Sequence, residues 1–292
     1  GGTELILAKF RAFLRRGLGL ITLGPTFGEP RASAEAVGAP HLDVWPASLE
    51  EGFDSESSLQ RLALALGSCP FPIGLVYLCS PNNPTGTAVS SRMMERVRAL
   101  VAPAPLLLDR SFESLRLPGP LCSKEGFQNL HTDVEIVENV LELRSFTKDF
   151  GIPGLRLGAL FGDGGLVGRC RTQLYPWSVS SGADAAGRAL LAAEADEFLM
   201  RTRALWHGDA RALWSSLSER GVTVLPSTVP FGLVRLGMAR VTRRKLMERG
   251  VHVRDCASFG LPEHIRLVGR PASELARLLG AIDTLEARSD GS

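Results

Sequence analysis

One of the four lysines in the sequence, Lys148, stands among residues that suit it to act as an amine nucleophile. It follows an apolar run and lies on a segment where glycine flanks the next proline, so its amine can be partly desolvated. A desolvated amine attacks an aldehyde and forms a Schiff base. Ser145 and Thr147 offer hydroxyls, and Arg156 offers a guanidinium that can bind a phosphate. A lone lysine is usually a solvated surface group, so this prediction depends on the neighbours.

Two further polar groups follow apolar runs, at points where strands are expected to end. Asn83 lies in the run Ser-Pro-Asn-Asn-Pro-Thr-Gly, residues 80–86, after the apolar residues 74–79. That run is also typical of a strand-to-helix turn in which Ser90 caps the next helix. Asp109 closes the apolar run 106–108, where an unpaired carboxylate is costly. A protonated pyridine nitrogen would pair with it, and an N-cap role is the alternative.

The elements that must position these groups have the pattern of an α/β fold. Short apolar runs at 18–23, 74–79, 106–108 and 137–143 alternate with helical patterns such as 90–100. This alternation is typical of parallel strands joined by crossover helices that cover both faces of the sheet. Residues 181–220 lack proline and favour one very long helix or two in tandem, and a small α/β unit with a final helix at 273–287 follows. We expect a large domain at 1–185, then a linking helix and small C-terminal domain at 186–292.

Composition limits the kinds of molecule that the protein is expected to bind. A formal net charge of +2 over 292 residues, without a basic run, gives no reason to expect nucleic acid. No apolar stretch approaches the roughly 20 residues of a membrane span, so no membrane partner is expected. The five cysteines have no Cys-x-x-Cys spacing, which favours a reducing compartment. We therefore expect a cytoplasmic protein that binds neither nucleic acid nor a membrane, and we expect no metal site.

An ordered set of motifs resembles a known family. Asn-Pro-Thr-Gly at 83–86, the strand-ending Asp109, Ser-x-Thr-Lys at 145–148 and Gly-Leu-Arg-Leu-Gly at 154–158 resemble the fold type I pyridoxal phosphate (PLP) enzymes, specifically the class I/II aminotransferases. The resemblance implies a large, mostly parallel sheet domain, a small C-terminal α/β domain, PLP as cofactor, an amino acid substrate and a homodimer. A Rossmann-type nucleotide binder would share the α/β pattern, but no Gly-x-Gly-x-x-Gly follows the first strand.

The resemblance also assigns roles to individual residues. Lys148 would form the Schiff base with PLP and then act as acid and base, and Asp109 would keep the ring nitrogen protonated. Arg266, with Arg254 as its auxiliary, would bind the substrate carboxylate. Asn83 would contact both the 3-oxygen of the cofactor and the substrate. The other implied cofactor contacts are Gly2, Thr3, Glu4, Ser145 and Arg156 at the phosphate, and Phe27 stacked on the ring.

Three details favour a subgroup. Phe112 after Asp-Arg-Ser, Pro-Trp-Ser-Val-Ser at 176–180 and Arg-Asp-Cys-x-Ser-Phe-Gly-Leu-Pro at 254–262 resemble threonine-phosphate decarboxylases of cobalamin synthesis. We therefore expect such an enzyme, acting on a small amino acid that is phosphorylated or not. The alternatives are a histidinol-phosphate-type aminotransferase and a non-catalytic relative that keeps the fold.

Some features depart from the family pattern. The family usually has an acidic residue where Arg110 stands, and the subgroup has an asparagine where Ser180 stands. Relatives also carry a further arm before the Gly-x-x-Glu loop, with a tyrosine that reaches the cofactor of the neighbouring subunit. Either the sequence is incomplete at its start or the protein has lost this arm, and a loss would favour altered or weak activity. The arm and the two substitutions motivate the non-catalytic alternative.

Overall fold

Six strands in the first part of the chain form one mixed sheet. The computed structural model describes residues 10–116 and 136–286. The strands are β1 (Gly19–Leu23), β2 (His41–Val44), β3 (Ile73–Cys79), β4 (Leu106–Asp109), β5 (Val140–Ser145) and β6 (Gly158–Gly162). Their order is β2-β1-β3-β4-β5-β6, in which β1 to β5 run parallel to their neighbours and β6 runs antiparallel to β5. Parallel neighbours need crossover connections, and those between β1 and β4 contain helices, as the sequence predicts.

Alternation along the central strands builds one core on each face of this sheet. Leu75, Tyr77 and Cys79 of β3 face one core, and Val76 and Leu78 face the other. Successive side chains of a strand point to opposite faces, so a continuous apolar strand needs cover on both sides. Helices α1 (Glu29–Ala36), α2 (Glu56–Gly67), α3 (Ser91–Val101) and α4 (Gly164–Arg171) provide it, with α1 and α4 on one face and α2 and α3 on the other. The predicted α/β class is confirmed.

The proline-free segment 181–220 forms two helices in tandem, α5 (Ser181–Ala189) and α6 (Ala193–Ser218). The longer helix, α6, contacts both parts of the chain. Its His207 Nε2 lies 2.7 Å from the carbonyl oxygen of Leu115, which follows β4. Further along α6, Leu213 and Leu217 are buried in the core of a second sheet. This helix therefore connects the two sheets, while the division of domains at residue 185 stays a prediction.

The second sheet has four antiparallel strands. These are β7 (Thr223–Val224), β8 (Phe231–Arg235), β9 (Arg254–Asp255) and β10 (His264–Val268), in the order β7-β8-β10-β9. Helices α7 (Ala239–Met247) and α8 (Ala272–Glu286) pack against it. Their shared core contains Val234, Leu246, Ile265 and Ile282. The sheet thus places β10 and β9, which carry the two predicted substrate arginines, side by side.

Membrane spans, cysteines and metal ligands were considered from composition, and the described residues can be compared with those expectations. None of their helices is long and apolar enough to cross a membrane. Cys79, Cys170 and Cys256 are buried cysteines, and Cys69 is a half-buried one. Across residues 10–116 and 136–286, no group of three or more His, Cys, Asp or Glu side chains could hold a metal ion.

Candidate active site

The last residues of three neighbouring strands line a cavity of about 100 Å³. They are Cys79 of β3, Asp109 of β4 and Ser145 of β5. In open α/β sheets this carboxyl edge is where ligands bind. Six of the predicted cofactor contacts line the cavity, namely Phe27, Asn83, Asp109, Ser145, Lys148 and Arg156. The other three, Gly2, Thr3 and Glu4, lie outside the described residues.

The carboxylate of Asp109 is buried and accepts a hydrogen bond on each oxygen. Tyr77 Oη donates to Oδ2 over 2.8 Å, and the backbone N–H of Ser111 donates to Oδ1 over 2.9 Å. Such bonds stabilise the charged form of a buried carboxylate. The N-cap alternative is wrong, because the 3-10 turn Glu113–Leu115 follows Phe112 and has no side-chain cap. Asp109 is therefore held at the cavity wall with a hydrogen bond on each carboxylate oxygen.

Lys148 lies where the cavity meets a larger cleft of about 720 Å³, and it lines both. Its Nζ lies 4.8 Å from the centroid of the Phe112 ring, within the range of a cation–π contact. The side chain is exposed, so the partly desolvated environment predicted from the sequence is wrong for this structure. The physical reason is that the segment after β5 directs the amine toward the open cleft and away from the core.

Hydroxyl and guanidinium groups line the same cavity as the lysine. Ser145 Oγ and Thr147 Oγ1 lie 2.9 Å apart and are both buried. Arg156 has a left-handed backbone, with φ of 53°, and its Nη1 donates to the carbonyl of Pro153 over 3.1 Å. Donors of this kind suit a phosphate, since hydroxyls and a guanidinium can all donate to its oxygens.

Asp149, directly after Lys148, is buried and ties the lysine segment to its surroundings. Its carboxylate accepts a hydrogen bond from Ser114 Oγ, in the turn that follows β4. Burial raises the pKa of the Asp149 carboxyl to about 6. The next residue, Phe150, stacks on Phe198 of α6 with ring centroids 6.0 Å apart. The exposed lysine is therefore carried by a segment whose following residues are fixed to two other elements.

Two arginines stand opposite each other on the second sheet. Arg254 of β9 pairs with Arg266 of β10 in the strand register, so both point to the same face. Both line the 720 Å³ cleft together with Asn83, Phe112 and Lys148. Burial lowers the pKa of Arg266 from its ordinary value.

Each of these arginines forms polar contacts, but neither is paired with a carboxylate of the described residues. Arg266 Nη1 donates to Asn83 Oδ1, and its guanidinium lies 5.3 Å from the Phe231 ring centroid. Arg254 Nη2 donates to Ser258 Oγ over 2.9 Å. No Asp or Glu among the described residues forms an ion pair with either arginine. Like charges directly opposite on neighbouring strands repel, so this pair favours an anionic ligand.

The two residues that depart from the family pattern have local partners. Arg110 forms ion pairs with Glu113 and Glu142, at N–O distances of 3.1 and 3.2 Å. Ser180 caps α5, because its hydroxyl accepts from the N–H of Ala183 over 3.2 Å. Neither residue lines the cavity or the cleft. Both substitutions are therefore accounted for by local structure.

Among the residues that sequence reasoning missed, Tyr77 and Ser111 contact Asp109 directly. Both donate to Asp109, and Ser111 also lines the cavity. The sequence pattern could have indicated Tyr77. It lies two residues before the end of β3, and side chains two residues apart on a strand point to the same face. Ser111 contributes a backbone N–H, for which its residue type carries no signal.

Similarity to known proteins extends over nearly the whole chain. The family model for aminotransferase class I and II matches residues 1–282. The chain belongs to the class I and II aminotransferase family. Enzymes of this family use pyridoxal phosphate, so this aminotransferase-family protein is a PLP-dependent enzyme. The resemblance and the cofactor predicted from the sequence are confirmed.

Individual relatives of this aminotransferase-family protein share about a third of its residues or fewer. Histidinol-phosphate aminotransferase 1 of Thiobacillus denitrificans is 30% identical over 292 residues, which cover 100% of this chain and 72% of the relative. Histidinol-phosphate aminotransferase of Symbiobacterium thermophilum is 31% identical over 274 residues, which cover 93% and 71%. The structure of L-threonine-O-3-phosphate decarboxylase from Porphyromonas gingivalis has a TM-score of 0.77 at 22% identity, over 98% of this chain and 82% of that chain. At 22% identity this last likeness shows the fold alone.

The side chains at the strand ends fit the cofactor of the aminotransferase family. A buried carboxylate suits a protonated ring nitrogen, and Asp109 supplies one at the cavity wall. The amine of Lys148 lines the same cavity, as do the hydroxyls of Ser145 and Thr147. The half-buried ring of Phe27 provides an aromatic surface there. The chemistry of this donor set matches the aldehyde, phosphate and ring of PLP.

Proposed function

We propose that this protein is an aminotransferase of the histidinol-phosphate type, which transfers an amino group from a small, anionic amine substrate. One observation carries the proposal: Lys148 lines both the cavity with Asp109 and the cleft with Arg254 and Arg266. The Lys148 amine therefore lies between a carboxylate suited to the cofactor ring and two cations suited to an anionic substrate. The names of the two relatives near 30% identity support histidinol phosphate, so this reading replaces our threonine-phosphate decarboxylase expectation as the better-supported one.

We assign the cofactor contacts as follows. Asp109 accepts a hydrogen bond from the protonated ring nitrogen, and Asn83 donates to the 3-oxygen from its amide nitrogen. Phe27 stacks on the ring. When bound, PLP supplies an electron sink for the charge that develops at the α carbon of the substrate. The contacts proposed for the phosphate are Ser145, Arg156, and the backbone of Gly2, Thr3 and Glu4, with Thr147 beside Ser145.

The remaining residues bind and orient the substrate. Arg266 can fork onto an anionic group of the substrate, and Arg254 adds a second positive charge on the same face. Lys148 Nζ, at the mouth of the cavity, is placed to take and return the proton of the α carbon. Phe112 and Phe231, whose ring centroids lie 5.0 Å apart edge to face, form an apolar wall of the cleft that excludes water.

We further propose that the protein works as a homodimer in the cytoplasm. The family resemblance and the reducing-type cysteine content motivate this proposal. Tyr175, Trp177 and Val179, between α4 and α5, are 79%, 77% and 57% exposed. Exposed apolar side chains in close succession are typical of a surface that another protein covers. Sedimentation of the purified protein measures the oligomeric state, and a monomer at micromolar concentration would contradict the dimer.

The experiment that tests the function uses PLP-loaded protein with two phosphorylated substrates. Histidinol phosphate is mixed with a 2-oxo acid acceptor, and the amino acid formed from the acceptor is measured. Threonine phosphate is supplied in parallel, and release of carbon dioxide is measured. We expect amino transfer from histidinol phosphate, reduced by roughly 10²- to 10⁴-fold or more in Lys148→Ala.

Matched controls and contrary outcomes are available. Lys245→Ala removes an exposed lysine on α7 and should keep wild-type activity. Carbon dioxide release from threonine phosphate without amino transfer from histidinol phosphate would restore the decarboxylase reading. Stable PLP binding without turnover of either substrate or of a panel of amino acids would favour the non-catalytic relative.

A further inference from the structure

Tyr77 is enclosed in the core of the first sheet, and its hydroxyl is directed at Asp109. The residue has 0% exposure. Its Oη donates to Asp109 Oδ2 over 2.8 Å. A buried phenol needs a hydrogen-bond partner, because an unpaired hydroxyl in an apolar core is destabilising. The core of the sheet therefore supplies a buried donor to the carboxylate.

The strand register brings the two side chains together. In the ladder between β3 and β4, Tyr77 stands opposite Leu107 and Cys79 stands opposite Asp109. Paired residues on neighbouring strands point to the same face, so Tyr77 and Asp109 are diagonal neighbours on one face. A tyrosine side chain is long enough to span that diagonal. The contact is therefore set by two buried strands and not by a loop.

Tyr77 remains a hydrogen-bond donor at neutral pH. Burial, followed by the nearby charge of Asp109, raises the pKa of the phenol well above its ordinary value. The hydroxyl keeps its proton and occupies one lone pair of Oδ2, while the N–H of Ser111 occupies one lone pair of Oδ1. A carboxylate oxygen has two lone pairs, so each oxygen can still accept from a further donor. The two hydrogen bonds thus fix the plane of the carboxylate, and each oxygen keeps a lone pair for a further donor.

We propose that Tyr77 is a positioning residue, which holds the Asp109 carboxylate in one orientation toward the ring nitrogen of the bound cofactor. This inference rests on the proposed function, because it requires PLP in the cavity at the strand ends. Removal of the phenol takes away a donor that stabilises the charge on Asp109. The proton shared by the ring nitrogen and Asp109 then shifts toward the carboxylate, and the ring withdraws electrons less strongly.

Tyr77→Phe tests the proposal, since it keeps the buried ring and removes only the hydroxyl. Thr242→Val is the matched control, because it removes a buried hydroxyl that donates to the carbonyl oxygen of Leu236 over 2.7 Å and lines neither the cavity nor the cleft. The measurements are the Kd for PLP by absorbance titration and the nitrogen-15 shift of cofactor labelled at the ring nitrogen. We expect Tyr77→Phe to bind PLP roughly tenfold more weakly, with a ring-nitrogen resonance shifted toward the unprotonated form. Thr242→Val should match the wild-type protein in both.

A double-mutant cycle separates positioning from packing. In an Asp109→Asn background no charged carboxylate remains to be oriented, so adding Tyr77→Phe should change neither the Kd nor the resonance. An equal loss of PLP affinity in both backgrounds would mean that Tyr77 acts through packing alone, and this would overturn the proposal. A wild-type resonance in Tyr77→Phe would overturn it as well.

Failure of the proposed function has a different signature. A wild-type protein that does not bind PLP would refute both the function and this inference. A wild-type protein that binds PLP and transfers amino groups, together with an unaffected Tyr77→Phe, would refute the inference alone.

Discussion

Arg266 of β10 donates a hydrogen bond to the side-chain oxygen of Asn83, so the second sheet contacts the loop that follows β3 in the first. The same loop is held a second time, three residues later. The carbonyl of Gly86 accepts from both the N–H and the Oγ1 of Thr228, over 2.9 and 2.8 Å. Asn83 thus sits between the cofactor cavity and the substrate arginine. A substitution in either sheet is therefore expected to affect both the cofactor cavity and the substrate arginine.

Replacing Arg266 tests whether a forked cation is required at this position. Arg266→Lys keeps a positive charge but removes the planar guanidinium, so it cannot bind an anionic group with two parallel hydrogen bonds while contacting Asn83. We expect kcat/KM for histidinol phosphate to fall by roughly 10- to 100-fold, a loss typical of a charge-assisted hydrogen bond. Steady-state kinetics measure it. Arg240→Lys, at an exposed position on α7, is the control, and an equal effect of both variants would refute the assignment.

Gly86 tests the contact between the loop and the second sheet. Its φ is 76°, and a Cβ atom there would lie 2.0 Å from Ser227 Oγ and 2.9 Å from the carbonyl oxygen of Phe231. Gly86→Ala should lower the free energy of unfolding by about 2–4 kcal/mol, because backbone strain and the clash add. It should also weaken PLP binding, since the loop carries Asn83. Gly28→Ala, where a Cβ meets nothing within 4 Å, should leave urea unfolding near the wild-type curve.

The strand-end chemistry was predictable from the sequence, while the contacts across strands were not. Asp109 was identified because an apolar run ended in a carboxylate. Tyr77 was not, because the register that makes it a diagonal neighbour of Asp109 depends on how two distant segments align. The same limit explains Lys148, whose exposure is set by the direction of its segment after β5 and not by residue type. Arg254 and Arg266 were both identified, but their position opposite each other is a property of the sheet.

Asp149 should make stability depend on pH between about 4 and 6. Burial raises its pKa from 3.8 to about 6, although Ser114, Lys148, Arg203 and Arg144 act in the opposite direction. The unfolded chain therefore loses this proton at a lower pH than the folded protein, so stability falls as the pH rises through this window. The difference of about two pH units corresponds to roughly 3 kcal/mol.

Asp149→Asn removes the ionisation and keeps an acceptor for Ser114 Oγ. Relative to the wild-type protein, this variant should gain stability as the pH rises from 4 to 7. Urea unfolding at a series of pH values measures the gain. Asp184→Asn, at an exposed carboxylate on α5, is the comparison. A difference between Asp149→Asn and wild type that stays constant with pH would contradict the prediction.

Ser145 is expected to contact the phosphate of the cofactor and not its ring. Its hydroxyl lies at the cavity wall beside that of Thr147, with Arg156 lining the same cavity. Ser145→Ala should weaken PLP binding by roughly tenfold, because one hydrogen bond to a charged group is lost. Pyridoxal, which lacks the phosphate, provides the internal control: its affinity should be the same for Ser145→Ala and the wild-type protein. Equal losses of affinity for PLP and pyridoxal would instead place Ser145 at the ring or show a distorted cavity, since neither effect depends on the phosphate.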